Sequence, residues 1–586
     1  MFKTSWDLTQ LYKSPNDPAI ERDIARIKSA YTRFEKKYRS KQYLQNDALL
    51  LKALQEYVQL DALPNPLVYL HLFGDIDSSN STVIAKQTAV AQLFTALANS
   101  ILFFRLSLMS FSKQKQKEIL TNKSFSKYHY FLRQIFSQAT YSLSEAEEKI
   151  LNLQSLPAQS LWVDGQSKLL SEQTIHYGKK EIPINEALEI IKNLPTKKRH
   201  QLHSLVMKKL KAISNFAESE INAIVINKKI SDELRKYKKP YSQTLLQYQN
   251  DEKTIEALVE SVKKYFHVSH RFYSLKRSYA KVKTFSYADR SVGIGRTTKK
   301  VSFDKAVQIV RNAFHKVNPR YEEIFLQYLT NGQIDVYPKK GKRGGAYCWT
   351  NSSMPTFVLL NHADTLHSVS TLAHEMGHAI HGEFSKSQPL LYQGHTISVA
   401  EVASTLFENF AFEELFSSLS ESDKIIALHD RILDDIQTIF RQIALFNFEV
   451  ELHAAIREKG FLSKELIAQM MNKHMASYLG NTFSLTEEDG YFFVTWSHIR
   501  RFFYVYSYAY GQIISKALYK KYKENPAYIN KIEEFLKAGE SKSPEEIFSS
   551  IGINTKDPRF FEEGLKAIEE DVKRLEKLLK SATKKR

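Results

Sequence analysis

The sequence predicts a mainly α-helical protein, and three observations lead there. Most of the 586 residues fall in stretches with apolar side chains at three- and four-residue steps. Strand-like segments are confined to 156–184 and 334–360. The composition, 43% hydrophobic and 25% charged, is that of a packed globular chain, and the length is enough for two or more domains.

Residues 17–59 are charged helical sequence whose apolar positions Ile20, Ile24, Ile27 and Tyr31 share one face. Residues 63–111 read as a further helical pair. The most apolar run there, Leu93 to Phe111, is almost long enough to span a bilayer, but Arg105 near its middle is costly in lipid, so the expectation is a buried helix and no membrane partner. Helices continue over 112–156, with Ser142-Leu143-Ser144-Glu145-Ala146-Glu147 as a helix start. From Leu156 to Ile184 the chain mixes Pro157, Gly165 and Pro183 with short alternating segments, which suggests a small strand-containing piece and a boundary near 185.

Helices resume over 185–314. The second strand-like region contains Gly344-Gly345-Ala346-Tyr347-Cys348 and then the apolar run Phe357 to Leu360. Residues 404–478 are helical up to a break at Gly480, and the charged segment 557–580 reads as a surface helix. The formal charge of +19 raises a nucleic-acid partner, but the lysines are spread among Glu and Asp and no nucleic-acid-binding motif is present. No nucleic acid is therefore expected as partner, and the run Lys339 to Arg343 reads as solvated. The single cysteine, Cys348, rules out an internal disulfide, and the N-terminal residues lack a signal-peptide core, so the expected compartment is the cytoplasm.

The chemistry is concentrated in Thr371-Leu372-Ala373-His374-Glu375-Met376-Gly377-His378-Ala379-Ile380-His381. On a helix the four-residue step from His374 to His378 puts both imidazoles on one face, where they can share a metal ion. Zinc fits best, since imidazole suits it and catalytic zinc takes three protein ligands and a water. Glu375 is placed to act as general base on that water. Glu401 lies 23 residues after His378 on what reads as a second helix and can close a His-His-Glu site. Glu408, seven residues on, is placed to hydrogen-bond a ligand histidine. His381 competes for the third place, but three ligands on consecutive turns of a straight helix lie too far apart for one ion, so it reads as a substrate contact or ligand support.

With the block His395-Thr396-Ile397-Ser398-Val399-Ala400-Glu401, this motif resembles the oligoendopeptidase F family, zinc endopeptidases related to thimet oligopeptidase and neurolysin. The resemblance implies a two-lobed helical zincin with a small β-sheet beside the active-site helix, a deep substrate channel and one Zn2+ per chain. It further implies an N-terminal helical region over 1–185, a catalytic region over 186–586, oligopeptide substrates, and hydrolysis of internal peptide bonds by Glu-assisted attack of zinc-bound water. His395 falls inside the matching block and reads as a substrate-binding or supporting residue. Gly345, Ala346 and Tyr347 fall in a stretch that resembles the family's substrate-binding edge strand, with Gly344 and Gly345 allowing close approach. Trp6 resembles the family's opening and is expected to be buried.

A second block, Trp496 to Gly511, packs Tyr504, Tyr506, Tyr508 and Tyr510 into seven positions and reads as a tyrosine-rich helix. The resemblance carries the transition-state histidine onto His498. Which tyrosine accompanies it stays open: matching the tyrosine run favours Tyr506, counting from His498 favours Tyr510, and Tyr508 is the remaining candidate. Arg500 and Arg501 suggest affinity for acidic or C-terminal carboxylate groups. Two other classes compete: a catalytically silent peptide-binding clamp, and a basic nucleic-acid binder.

Overall fold

The computed structural model describes the chain apart from residues 1, 61, 64–65, 296, 298, 351–353 and 585–586, and describes 145, 149, 583 and 584 by backbone alone. It is mainly α, with short strands in three small sheets among the described residues. The chain divides into two compact units. One comprises 1–142, 299–417 and 522–551, and the other 143–298, 418–521 and 552–586.

The first unit is organised around the motif helix, Leu366–Ser385, and the carboxylate helix, Ile397–Ser417. The motif helix starts at Thr365, whose side chain accepts the Ser368 N–H, and buries Val369, Leu372, Ala373, Met376 and Ile380. Gly377 sits where the two helices meet. A Cβ there would lie 2.8 Å from the Ser404 Cα and 3.0 Å from the Phe407 Cβ, so only glycine lets the backbones approach this closely.

Beside the motif helix lies a three-stranded sheet in the order Ile334–Asp335, Phe357–Leu359, Tyr347–Trp349. The central strand is parallel to the first and antiparallel to the last, with Tyr347 opposite Leu359. The N-terminal segment closes over this sheet. Trp6 is 8% exposed, its Nε1–H donates to the Val358 carbonyl at 2.8 Å, and its ring meets Phe357 and Tyr347 edge-on. The expected burial of Trp6 is what this segment shows.

The second unit includes Ser214–Leu234, Arg441–Lys459 and most of Tyr506–Glu524. In it Pro558–Lys584 packs on Glu252–Lys264, Phe266–Ala280 and Glu421–Asp435 and buries Phe561, Leu565, Ile568 and Val572. Thr174–Tyr177 and Lys180–Pro183 form an antiparallel hairpin in the same unit.

Several sequence expectations need correction. Residues 156–171 are helical, not strand-like: the helix Glu145–Ser155 runs on through a π-turn at Leu156–Ser160, which widens the helix where Pro157 lacks its N–H. The apolar run is not a buried helix. It belongs to Ser81–Met109, which buries one stripe (Val83, Val90, Ile101, Phe104, Leu108) and leaves Leu102 48% exposed; only 17% of its most apolar window is buried. By length and composition alone this helix could cross a membrane. The C-terminal helix keeps Lys566, Lys573, Lys577 and Lys580 on the surface, as expected, but its other face is an apolar stripe in the core. Lys342 is not solvated either: its side chain is fully buried and pairs with Asp335 at 2.7 Å.

Gly377→Ala is expected to lower the unfolding free energy by about 1–3 kcal/mol through overpacking, read as a lower denaturant midpoint. An unchanged midpoint would mean that the helices separate without cost.

Candidate metal centre and candidate oxyanion residues

The motif helix presents His374 and His378 one turn apart, with ring centroids 4.9 Å apart, and the carboxylate helix brings Glu401 to them. Glu401 Oε2 is 3.6 Å from His374 Nε2 and 4.0 Å from His378 Nε2, and one ligand atom from each of the three lies within 4.8 Å of the others. Two imidazoles and a carboxylate converging in this way form the donor set that suits zinc. The remaining nitrogen of His374, Nδ1, donates to Glu408, which fixes the tautomer and leaves Nε2 facing Glu401.

The electrostatics suit a cation. Burial works against a charged His374, but the hydrogen bond and charge of Glu408 outweigh it and hold the imidazole's proton up to about 10. A proton on Nε2 is what a metal ion would displace. Burial first, and then the charge of His374, drives the His378 pKa well below its ordinary value, so this ring is neutral and ready to ligate.

Glu375 is 5% exposed and its Oε2 has no hydrogen-bond partner. Burial pushes its carboxyl up to about 7; His374 opposes this, and the Glu401 and Glu408 charges add to it. A buried carboxylate oxygen without a partner is costly unless something is meant to meet it.

His381 stays out of the ligand set. It stacks on His395 at 3.6 Å and packs on Phe535 at 5.3 Å. Burial lowers the pKa of both, that of His395 to about 4, so the pair is neutral.

Tyr347–Trp349 is an edge strand whose one strand neighbour among the described residues is Phe357–Leu359. The turn before it is open: a Cβ on Gly344 or Gly345 would meet nothing within 4 Å, and Gly345 has φ +80°, a conformation that favours glycine. Asn361 ties this turn down by donating Nδ2–H to the carbonyls of Arg343 (2.9 Å) and Gly345 (2.7 Å), while Tyr347 donates to Asp75 at 2.7 Å. Ala346 joins turn and strand. Burial pushes the Cys348 thiol well up, with the Glu375 charge adding to it, so the thiol keeps its proton and is no nucleophile.

In the second unit the predicted tyrosine-rich helix is interrupted. Ser497–Arg500 is a 3-10 turn, Phe502 and Phe503 both have left-handed backbones (φ 52° and 58°), and the helix begins only at Tyr506. Two adjacent non-glycine residues in this region store of order 1–3 kcal/mol each, which the surroundings must offset. The Phe503 N–H donates to the fully buried Glu449 at 2.7 Å, and the Phe502 carbonyl accepts from Thr244 at 3.1 Å.

The interruption resets the helical phase and sorts the tyrosines. Tyr504 is hydrogen-bonded to His498 Nδ1, and Tyr508 lies 6.1 Å from the His498 ring and 5.8 Å from Tyr504. Tyr506 is fully buried and donates to Asn250 at 2.9 Å, and Tyr510 is fully buried against Phe561. The structure thus brings Tyr508 to His498 and leaves Tyr506 and Tyr510 in the core. Tyr504 was not singled out from the sequence, and no spacing rule could have done so, because the two left-handed residues are invisible to periodicity.

Arg500 is also placed differently from expectation. It is buried and bound at both ends by Glu220, with Nε–Oε1 at 2.6 Å and Nη2–Oε2 at 2.7 Å, so it pins the His498 turn and cannot reach a ligand. Arg501 is exposed.

A mainly helical fold with H-E-x-x-H and a following glutamate on a crossing helix defines a metallopeptidase. The comparisons agree: residues 195–567 match the profile described as Peptidase family M3, and residues 108–172 match that described as Oligopeptidase F. This chain belongs to peptidase family M3, and it is a metalloendopeptidase. Oligopeptidase PepF of Bacillus subtilis is 25% identical over 98% of this chain and 87% of its own, and group B oligopeptidase PepB of Streptococcus agalactiae is 23% identical over 98% and 97%. A peptidase structure from Chlamydophila abortus superposes with a TM-score of 0.88 at 23% identity over 98% of both chains. Oligoendopeptidase F from Enterococcus faecium does so with 0.71 at 19%, over 96% of this chain and 99% of its own.

Replacing Glu408 by alanine frees His374 Nδ1 and is expected to weaken metal binding by about 10–100-fold, measured by competition with a chromophoric chelator. Unchanged affinity would remove Glu408 from the site.

Proposed function

We propose that this protein is a zinc-dependent endopeptidase that hydrolyses internal bonds of short, unstructured peptides. The observation that carries the reading is the convergence of His374, His378 and Glu401 beside a buried Glu375 oxygen that lacks a partner. His374, His378 and Glu401 would hold one zinc ion per chain. When bound, zinc supplies the Lewis acidity that lowers the pKa of a water towards about 7 and polarises the scissile carbonyl.

Glu375 takes the proton from the attacking water and hands it to the leaving amine nitrogen, so one carboxyl serves as base and then as acid. Glu408 keeps His374 oriented. The edge strand 345–347 binds the substrate backbone through main-chain groups, which suits peptides of varied sequence. His381 and His395, neutral and packed on each other, line the approach to His378. His498 donates Nε2–H to the carbonyl oxygen as negative charge builds up there, and Tyr504, backed by Tyr508, holds that tautomer by donating its hydroxyl to Nδ1. Tyr506 and Tyr510 support the helix that carries Tyr508.

The two family profiles meet between 172 and 195, which supports a helical N-terminal region over 1–185 followed by a catalytic region over 186–586. The single, protonated Cys348 is compatible with a cytoplasmic protein.

Glu375→Gln is expected to retain zinc and lose turnover by several powers of ten on a mixed set of unstructured peptides. Chelation should stop the wild-type enzyme until zinc is restored, and near-normal turnover of the variant would rule out the role of Glu375. Among the tyrosines, Tyr504→Phe should lower kcat about 100- to 1,000-fold, whereas Tyr506→Phe should act mainly on the melting temperature. The opposite ranking would give Tyr506 the part assigned to Tyr504.

A further inference from the structure

The second unit holds two arginines that no carboxylate answers among the described residues. Arg290 follows the 3-10 turn Tyr287–Asp289, and Arg441 opens the helix Arg441–Lys459, directly after the π-turn Ile436–Phe440. Both guanidiniums lie over the ring of Phe492, each 5.5 Å from its centroid, and Arg290 also covers Tyr287 at 3.9 Å. Arg290 donates one N–H to the Tyr287 carbonyl at 2.9 Å. The Nε of each arginine is buried without a hydrogen-bond partner, and neither side chain has an ion pair among the described residues.

Several other buried cations of this unit are met by carboxylates, and Lys276 by the Asp289 carbonyl at 3.0 Å. Glu220 grips Arg500, Asp435 meets Lys516 at 2.9 Å, Asp232 meets Lys228 at 2.9 Å, and Asp289 meets Arg199 at 2.8 Å. Both side chains are half-buried; two like charges beside one aromatic ring repel each other, and covering part of each without a counter-ion is costly. An anion held by both would remove each cost.

The place of the pair says what that anion belongs to. Phe492, the ring under both arginines, is six residues before His498, and its carbonyl accepts the Trp496 N–H at 3.2 Å. The Trp496 ring then lies 5.7 Å from His498. The charge of Arg441 also reaches His498, where it follows burial among the influences that lower the imidazole's pKa. The arginines are therefore linked, through Phe492 and Trp496, to the residue assigned to the reacting carbonyl. Guanidinium forks match carboxylates in shape and bind them through paired N–H donors.

We propose that Arg290 and Arg441 form a subsite for a carboxylate of the peptide substrate, either its C-terminal carboxylate or an Asp or Glu side chain. The subsite rests on the peptidase reading and narrows it to peptides that carry a negative charge. It also relocates the affinity that the sequence suggested for Arg500, whose guanidinium is spent on Glu220.

The test uses one unstructured peptide in three forms: free acid, C-terminal amide without acidic residues, and that amide with a single Glu moved stepwise along it. The zinc-loaded full chain is expected to show a KM about tenfold or more lower for the free acid, or for one Glu position, than for the neutral amide. The form that gains identifies the source of the carboxylate. In Arg441→Gln and Arg290→Gln the charged-to-neutral KM ratio should fall to about one. Arg441→Lys, which keeps the charge without the fork, should recover part of it.

Equal KM values for all three peptides with the wild-type enzyme would overturn the subsite whether or not the variants fold. So would variants that weaken every peptide alike while lowering the melting temperature, since the arginines would then only brace Phe492. If the wild-type enzyme cuts none of the peptides, the peptidase reading falls by itself. Calorimetric titration of the same peptides then decides the subsite, with equal affinity for acid and amide overturning it.

Discussion

The first unit depends on how closely two helix backbones approach each other at Gly377. A hydrogen in place of a Cβ lets the carboxylate helix seat Ser404 and Phe407 directly against the motif helix. That contact sets the height at which Glu401 meets His374 and His378 and at which Glu408 meets the back of His374. The donor set is thus a consequence of helix packing, in which a displacement of about 1 Å would separate ligands that must share one ion. The unit's other functional pieces follow from the same packing. The sheet beside the motif helix carries the edge strand, and Trp6 closes that sheet from the N-terminus.

The second unit uses buried carboxylates where the first uses a glycine. Glu220 holds Arg500, and Glu449 holds the Phe503 N–H, on either side of a left-handed step that no apolar packing would choose. The Glu449 carboxyl is pushed up to about 8 by burial, with the Phe503 hydrogen bond and the Lys228 charge opposing. This group is kept for the geometry it imposes on its neighbours, at a cost in desolvation. The result is a turn that holds His498 and Tyr504 against each other, with Tyr508 behind them. Arg290 and Arg441 stand out against this background as half-buried guanidiniums whose Nε atoms are buried without a partner.

The fold class was legible because helical periodicity is a local property repeated over long stretches, and the strand segments around 334–360 were bracketed by glycines and prolines. Amphipathic helices misled in two directions. Ser81–Met109 looked apolar enough to be buried and is buried along one stripe, whereas Pro558–Lys584 looked charged enough to be exposed and has a continuous apolar stripe in the core. Mean composition says little about a helix whose two faces differ; only the arrangement of its neighbours shows which face is covered.

The sequence by itself determined the donor set of the candidate metal centre. His374, Glu375 and His378 share one helix, so their spacing fixes their relative placement, and Glu401 and Glu408 follow on the next helix at a spacing that puts them on one face. Only the tertiary structure decided which tyrosine stands beside His498, that Arg500 is spent internally, and that Arg290 and Arg441 converge on Phe492 from segments 151 residues apart. The reason is the same in each case. A regular helix carries its geometry in the residue spacing, whereas a turn with positive φ, a buried ion pair and a long-range convergence are set by parts of the chain that spacing does not connect.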